Sequence, residues 1–318
     1  MTEKRKWYQM KERAAGTKRL MFMLYVYRLF GKKAVRFLTF WVSLCAFLAS
    51  KQVRDYAKIN LSVISSYCKE NGISCPEPTM INCFKNVFNF SNALLDNMEI
   101  FAGEYDVNKI FFDKEEDKKI FYEDIKARKG IFFICSHTGN INVLRMFFKN
   151  KDPLQRSDVN ILLSQEQCKV FNAFLKKVYE TGKKKMHNTV SLFPVEEINI
   201  DTSIELKDRL DNGEIAFMAG DRLSAGTANL TFTHKFFAKD VEFPVGTFKM
   251  AQLMETPVYF IGALKGKNDT YKIYLKKFSP LQSKKDTLTK MENEYVEFIE
   301  QLTIFDPLQF YHFYGLFV

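Results

Sequence analysis

From residue 130 onward the chain repeats one pattern: a short, charge-free apolar run followed by a stretch with helical spacing. The runs are 131–136 (IFFICS), 159–164 (VNILLS), 190–194 (VSLFP), 215–219 (IAFMA) and 257–263 (PVYFIGA). Each has strand length, and their near-continuous apolar character fits strands covered on both faces. Segments 140–148, 165–179, 203–210 and 247–254 fit helices between them. Strands alternating with helices predict an α/β fold with a substantially parallel central sheet flanked by helices. Segment 271–278 (YKIYLKKF) alternates more cleanly and reads as an edge strand. Residues 284–304 read as a closing helix, and 51–128 as mostly helical with a turn at Pro76-Glu77-Pro78. No internal repeat or linker-like tract separates these parts.

Charge divides the chain differently. Of 318 residues, 47 are Lys or Arg and 37 Asp or Glu, a net +10. Residues 1–60 hold fourteen basic residues against Glu3, Glu12 and Asp55, which is +11, so the other 258 residues sum to −1. The apolar fraction excludes a disordered chain, and 14 Gly with 8 Pro exclude a collagenous one. A nucleic-acid binder would spread basic residues over its folded face; here one basic arm joins a neutral body.

That arm is also strongly apolar. Residues 20–27 read LMFMLYVY, and 37–50 read FLTFWVSLCAFLAS without a charge. Fourteen helical residues span about 21 Å, short of a hydrocarbon core of roughly 30 Å. Arg28, Lys32 and Arg36 are spaced i, i+4, i+8 and form a basic stripe between the two runs. Such a segment suits lying in an anionic lipid surface better than spanning it. It also fits a helix pair packed on the body with a solvated charged edge. The charges within the apolar run and the lack of a small-residue cleavage site argue against a secretory signal. The expected organisation is therefore a membrane-associating helical region at 1–60 and an α/β domain at 61–318.

In parallel sheets the loops after strand C-termini carry the chemistry. Two stand out: Ser136-His137-Thr138-Gly139-Asn140-Ile141-Asn142 and Gly220-Asp221-Arg222-Leu223-Ser224-Ala225-Gly226. An imidazole at His137 can act as a base near neutral pH. Gly139 permits close backbone approach, and N–H groups opening the next helix could hold an oxyanion or phosphate. Cys135, two residues from His137, fits a Cys–His pair but fits a buried filler better. His187 sits after three lysines, while His234 and His312 have no carboxylate at short spacing. The six cysteines (Cys45, Cys68, Cys75, Cys83, Cys135, Cys168) form no CxxC pair and read as free thiols, and no metal or cofactor is expected. Hydrolase elbows, phosphate-cradling loops and dinucleotide fingerprints are absent from the sequence.

His137-x-Gly139-Asn140 after an apolar strand resembles the His-x4-Glu/Asp motif of the lysophospholipid acyltransferase superfamily. It is most similar to the branch related to the late lipid A biosynthesis acyltransferases. Trp7 with Glu12-Arg13 and Gly16 resembles that branch's Trp…Glu-Arg-Gly opening. Gly220-Asp221-Arg222 resembles its Gly-Asp-Arg loop. Phe236-Phe237-Ala238 with Phe243-Pro244-Val245-Gly246-Thr247-Phe248 resembles its Phe-Phe-Gly…Phe-Pro-x-Gly-x-Phe stretch. Pro307-Leu308-Gln309-Phe310-Tyr311 resembles its Pro-x-Gln-Trp-Phe ending, with Phe for Trp. The order of these motifs covers nearly the whole chain.

The resemblance implies transfer of a fatty acyl chain from acyl-CoA or an acyl carrier protein. The acceptor would be a hydroxyl or amine of a membrane lipid or glycolipid, at the cytoplasmic face of the inner membrane. His137 would be the general base, Gly139 and Asn140 would line the oxyanion site, and Arg222 would meet phosphate. Gly246 and Thr247 would open a helix near the acceptor, with Thr247 as N-cap. The chain departs from the motif where the family has Glu or Asp, because Asn142 stands there. An amide can orient the imidazole but cannot stabilise its cation. Either Asp221, leaving a neighbouring strand, supplies the charge, or the chain is a degenerate homologue that binds acyl lipid without transfer.

Overall fold

The computed structural model describes residues 17–102, 104–149, 158–164, 190–223 and 230–317. Trp7, Glu12, Arg13, Gly16, the expected helix 165–179, Cys168, His187 and residues 224–226 lie outside them. Three helices come first: α1 (Thr17–Ala49), broken at Gly31 with φ 76°, α2 (Lys51–Glu70) and α3 (Met80–Ala102). Ser50 caps α2 by accepting from Val53 N, and the segments on either side of it meet at 93°. An expected boundary at residue 60 falls inside α2.

Among the described residues nine strands follow: β1 (Ile110–Phe112), β2 (Ile131–Gly139), β3 (Val159–Leu163), β4 (Val190–Pro194), β5 (Ile215–Ala219), β6 (Thr231–Phe236), β7 (Lys239–Pro244), β8 (Val258–Lys265) and β9 (Tyr271–Lys277). Seven form one sheet in the order β1-β9-β8-β2-β5-β3-β4, with β2 at its centre. The strands β8, β2, β5, β3 and β4 are mutually parallel; β9 runs antiparallel to β8 and parallel to β1. The expected α/β class and largely parallel sheet are thus present. The reading of 271–278 as an edge strand is corrected, because three-residue β1 pairs outside β9. The helix expected over 140–148 is a 3-10 segment, Ile141–Lys149.

The uniform apolarity of β2 follows from helices on both faces. Ile131, Phe133 and Cys135 pack with Leu95 and Met98 of α3 and with Phe121 and Ile125 of the helix Glu115–Lys126. Phe132 and Ile134 face Leu206, Leu210, Phe248, Tyr295 and Ile299. These come from the helices Ile200–Asp211, Gly246–Met254 and Lys284–Phe305. Alternate residues of one strand therefore feed two cores.

Two residues of the expected basic stripe, Lys32 and Arg36, meet protein; the Arg28 side chain lies outside the described residues. Lys32 Nζ lies 2.5 Å from Glu99 and 3.2 Å from Asp96, and Arg36 lies 2.6 Å from Asp269. These contacts tie α1 to α3 and to the β8–β9 turn. The outer face of α1 is instead apolar and exposed, with Phe37, Trp41, Val42 and Leu48 at least half accessible. Among the described residues no single helix is long and apolar enough to cross a membrane.

Candidate active site at the ends of strands β2 and β5

Strand register sets the geometry. Cys135 of β2 is level with Ala219 of β5, and the strands run parallel. The residues two positions on therefore stand side by side, one in the irregular end of β2 rather than in a loop after it and the other just past β5. Those residues are His137 and Asp221. Asp221 Oδ1 lies 2.8 Å from His137 Nδ1, and its Oδ2 accepts the His137 backbone N–H at 2.6 Å. The same Oδ2 lies 3.0 Å from Nε2 of His312, which arrives from the C-terminal segment. His312 Nδ1 is 2.6 Å from the Tyr314 hydroxyl. Asp221 thus takes three N–H groups from three directions.

Protonation states follow from this network. Burial opposes ionisation of Asp221, but the charge and hydrogen bonds of His137, then His312, outweigh it and hold its pKa well below the usual value. Burial lowers His312 to about 4, against the opposing pull of Asp221. A neutral His312 beside a carboxylate carries its proton on Nε2, so Nδ1 accepts from Tyr314. The carboxylate likewise places a proton on His137 Nδ1, so in the neutral ring Nε2 carries the lone pair. Only one of these groups reaches outward: the His137 side chain is 31% exposed, against 2% for Asp221 and 1% for His312.

The surroundings hold the pair rigidly. Tyr311 N–H donates to His137 O at 3.2 Å, and the Tyr295 hydroxyl donates to Cys135 O at 2.7 Å. Gly220 N–H donates to the same Cys135 carbonyl, and a Cβ at Gly220 would stand 2.9 Å from the Tyr295 ring. Phe310 stacks on the His312 ring at 4.3 Å. A base with its carboxylate and backbone fixed in this way is pre-organised for proton transfer.

Other expected residues take different places. Asn142 N–H donates to Asn140 Oδ1, and the carboxylate that reaches His137 comes from Asp221, not from the Asn142 position. The Asn140 N–H, expected at an oxyanion site, donates to Ala263 O at 2.8 Å. Asn140 is buried, and its amide bonds Ala93 O and the Tyr271 hydroxyl, so it joins α3 to the sheet. Gly139 has φ 76°, and a Cβ there would lie 2.1 Å from Ala263 O. Its openness serves close approach of β8 rather than of a ligand.

Thr247 is not an N-cap. Val245 precedes the helix and Gly246 is its first residue, while the Thr247 hydroxyl donates to Ala219 O at 2.8 Å. Arg222 follows Asp221, donates to Tyr311 O at 2.7 Å and lies over the Tyr314 ring. Burial, then the Asp221 carboxylate, push the Cys135 thiol up to about 12, which suits a core filler and not a nucleophile. His234 sits in the β6–β7 hairpin with Nδ1 2.8 Å from Lys235 O. Among the described residues no cluster of His, Cys, Asp or Glu has a metal-site arrangement.

His312 and Tyr314 were not legible in the sequence as site residues. Asp221 and His312 are 91 positions apart, and no local spacing signals their meeting. No protein-family model matches this chain, and no curated protein matches it.

Proposed function

We propose that this chain is an acyltransferase related to the lysophospholipid acyltransferases, in the manner of the late lipid A enzymes. It moves a fatty acyl group from acyl-CoA or an acyl carrier protein to a hydroxyl of a membrane lipid or glycolipid. His137 Nε2 takes the hydroxyl proton as the acceptor oxygen attacks the thioester carbonyl carbon. The new C–O bond forms, the C–S bond breaks, and the imidazolium returns its proton to the departing thiolate. Asp221 remains ionised throughout, fixes the tautomer and stabilises the imidazolium. His312 and Tyr314 are positioning residues that act through Asp221. The exposed apolar face of α1 supports docking on the cytoplasmic face of a membrane, where such acceptors reside.

One observation carries this reading: the 2.8 Å pair between Asp221 Oδ1 and His137 Nδ1, with the His137 ring partly exposed. It answers the objection raised by Asn142, since a carboxylate serves the imidazole from the neighbouring strand. The test is incubation of the purified chain with radiolabelled acyl-CoA or acyl carrier protein and total bacterial lipid. A labelled lipid product that disappears in His137→Ala is the expected result. Retained lipid binding with no product from the wild type would favour the degenerate homologue.

A further inference from the structure

The C-terminal strap that carries His312 lies against the end of β2 like a short added strand. Phe310 has extended backbone and forms an antiparallel bridge with Thr138, and Tyr311 N–H donates to His137 O at 3.2 Å. In extended chain, successive residues turn their N–H and C=O groups to opposite edges. Tyr311 turns both of its groups to the sheet side, where Arg222 meets its carbonyl at 2.7 Å. The carbonyls of Phe310 and His312 face the other way, toward α3 and α2.

A buried edge of carbonyls needs donors, and a neighbouring strand would ordinarily supply them. The helices α2 and α3 cannot, because their backbone N–H groups are occupied within their own turns. Side-chain amides take that part. Asn60 of α2 donates to His312 O, and Asn86 of α3 donates to Phe310 O at 3.0 Å and to Leu308 O at 3.1 Å. Asn89 adds a second amide on Leu308 O at 3.2 Å. Carbonyls at the alternate positions 308, 310 and 312 are thus held from two helices. Asn60 and Asn86 are themselves buried. Asn60 Oδ1 has no hydrogen-bond partner among the described residues, so what this amide contributes is its donor side.

The ladder ends on the residue that matters to the site. His312 is held at its carbonyl by Asn60, while its Nε2 lies 3.0 Å from Asp221 Oδ2 and its Nδ1 2.6 Å from the Tyr314 hydroxyl. Asp221 Oδ2 also accepts the His137 N–H at 2.6 Å, so a shift of the His312 ring reaches the carboxylate that serves His137. We propose that Asn60 and Asn86 are positioning residues for the Asp221–His137 pair, which makes α2 and α3 part of the reaction centre. Their effect on turnover rests on the function proposed above; their effect on the imidazoles does not.

The test labels the histidines of the full chain with nitrogen-15 and reads each ring's tautomer at neutral pH from long-range proton–nitrogen spectra. In the unaltered chain His312 carries its proton on Nε2. Asn60→Leu and Asn86→Leu remove the donors at nearly constant volume, and each should raise the Nδ1–H population of His312 at least about fivefold, as loosening of one hydrogen bond does. Transfer from acyl thioester to lipid should lose about tenfold in kcat with KM within about twofold. Ile125→Ala, on the helix Glu115–Lys126, is the control for lost stability alone and should move neither readout. Should one variant fail to fold, the other carries the comparison, since the two amides hold different carbonyls. Hydrogen exchange on the unaltered chain stands beside both: the Asn60 and Asn86 side-chain amides should exchange at least about tenfold more slowly than exposed ones. Exchange of either at the exposed rate overturns the proposal. So do unchanged tautomers in the folded variants, an unchanged kcat, or an equal tautomer shift in Ile125→Ala. Shifted tautomers with no transfer by the wild type would keep the positioning residues and remove the proposed reaction; wild-type transfer with unshifted tautomers would do the reverse.

Discussion

A carboxylate with three N–H donors is costly to assemble, and Asp221 shows where the stabilisation comes from. Its partners are one backbone group and two imidazoles, one of which never becomes charged near neutral pH. His312 has a consequence for stability that can be read directly. Its pKa falls from 6.5 to about 4 in the fold, so between those values the unfolded chain binds a proton that the folded chain does not. Stability from this group is therefore complete above pH 6.5 and declines as pH falls toward 4, by on the order of 3 kcal/mol. Replacing His312→Gln keeps a donor for Asp221 without a titrating ring. Melting temperatures between pH 7 and 4 should then fall less steeply in the variant than in the wild type. At this scale the sequence pointed to His137 and offered Asp221 as an alternative to Asn142. It hid His312, because only the folded C-terminal strap brings that ring to a carboxylate 91 positions away.

Elements were legible where one physical cause dominated. The runs at 190–194 and 215–219 coincide with β4 and β5. Strand β5 lies inside the sheet with its first three residues buried, as an apolar run predicts, whereas β4 is an edge strand with Phe193 buried. The hairpin β6–β7 escaped notice because Thr231–Phe236 mixes polar and aromatic residues and is only partly covered. Three-residue β1 is too short to leave any periodicity. The hairpin also holds a local conflict. Phe236 pairs with Lys239, leaving Phe237 and Ala238 as a two-residue turn with φ of 49° and 58°. Such a primed turn favours glycine, the residue found at position 238 in the pattern this stretch resembles. Phe237 is fixed by its N–H to Glu300 and by burial, so the relief available is at Ala238. Ala238→Gly should raise unfolding stability by about 1 kcal/mol in a urea titration, the opposite of the usual effect of glycine.

For the whole molecule, the N-terminal helices are part of the body. Lys32 and Arg36 bind Asp96, Glu99 and Asp269, so the charges read from the sequence as facing lipid mostly face protein. Sequence spacing could not reveal the acidic partners of Lys32 and Arg36, which lie more than sixty positions away. The membrane docking proposed above would then rest on the apolar face of α1. Phe37→Glu with Trp41→Glu should reduce flotation with anionic vesicles by at least about tenfold, while leaving the melting temperature within a few degrees, since both side chains are exposed. In the proposed reaction the acid that serves His137 is Asp221, just past β5, and not the residue at position 142. Initial rates of label transfer from acyl thioester to lipid, measured for Asp221→Asn and Asn142→Ala side by side, test it most directly. In a serine protease, exchange of the triad carboxylate for an amide lowers turnover roughly 10⁴-fold, and a loss approaching that is expected for Asp221→Asn, with at most about tenfold for Asn142→Ala. A larger loss in Asn142→Ala than in Asp221→Asn would show that Asp221 is not the partner of His137 in the reaction.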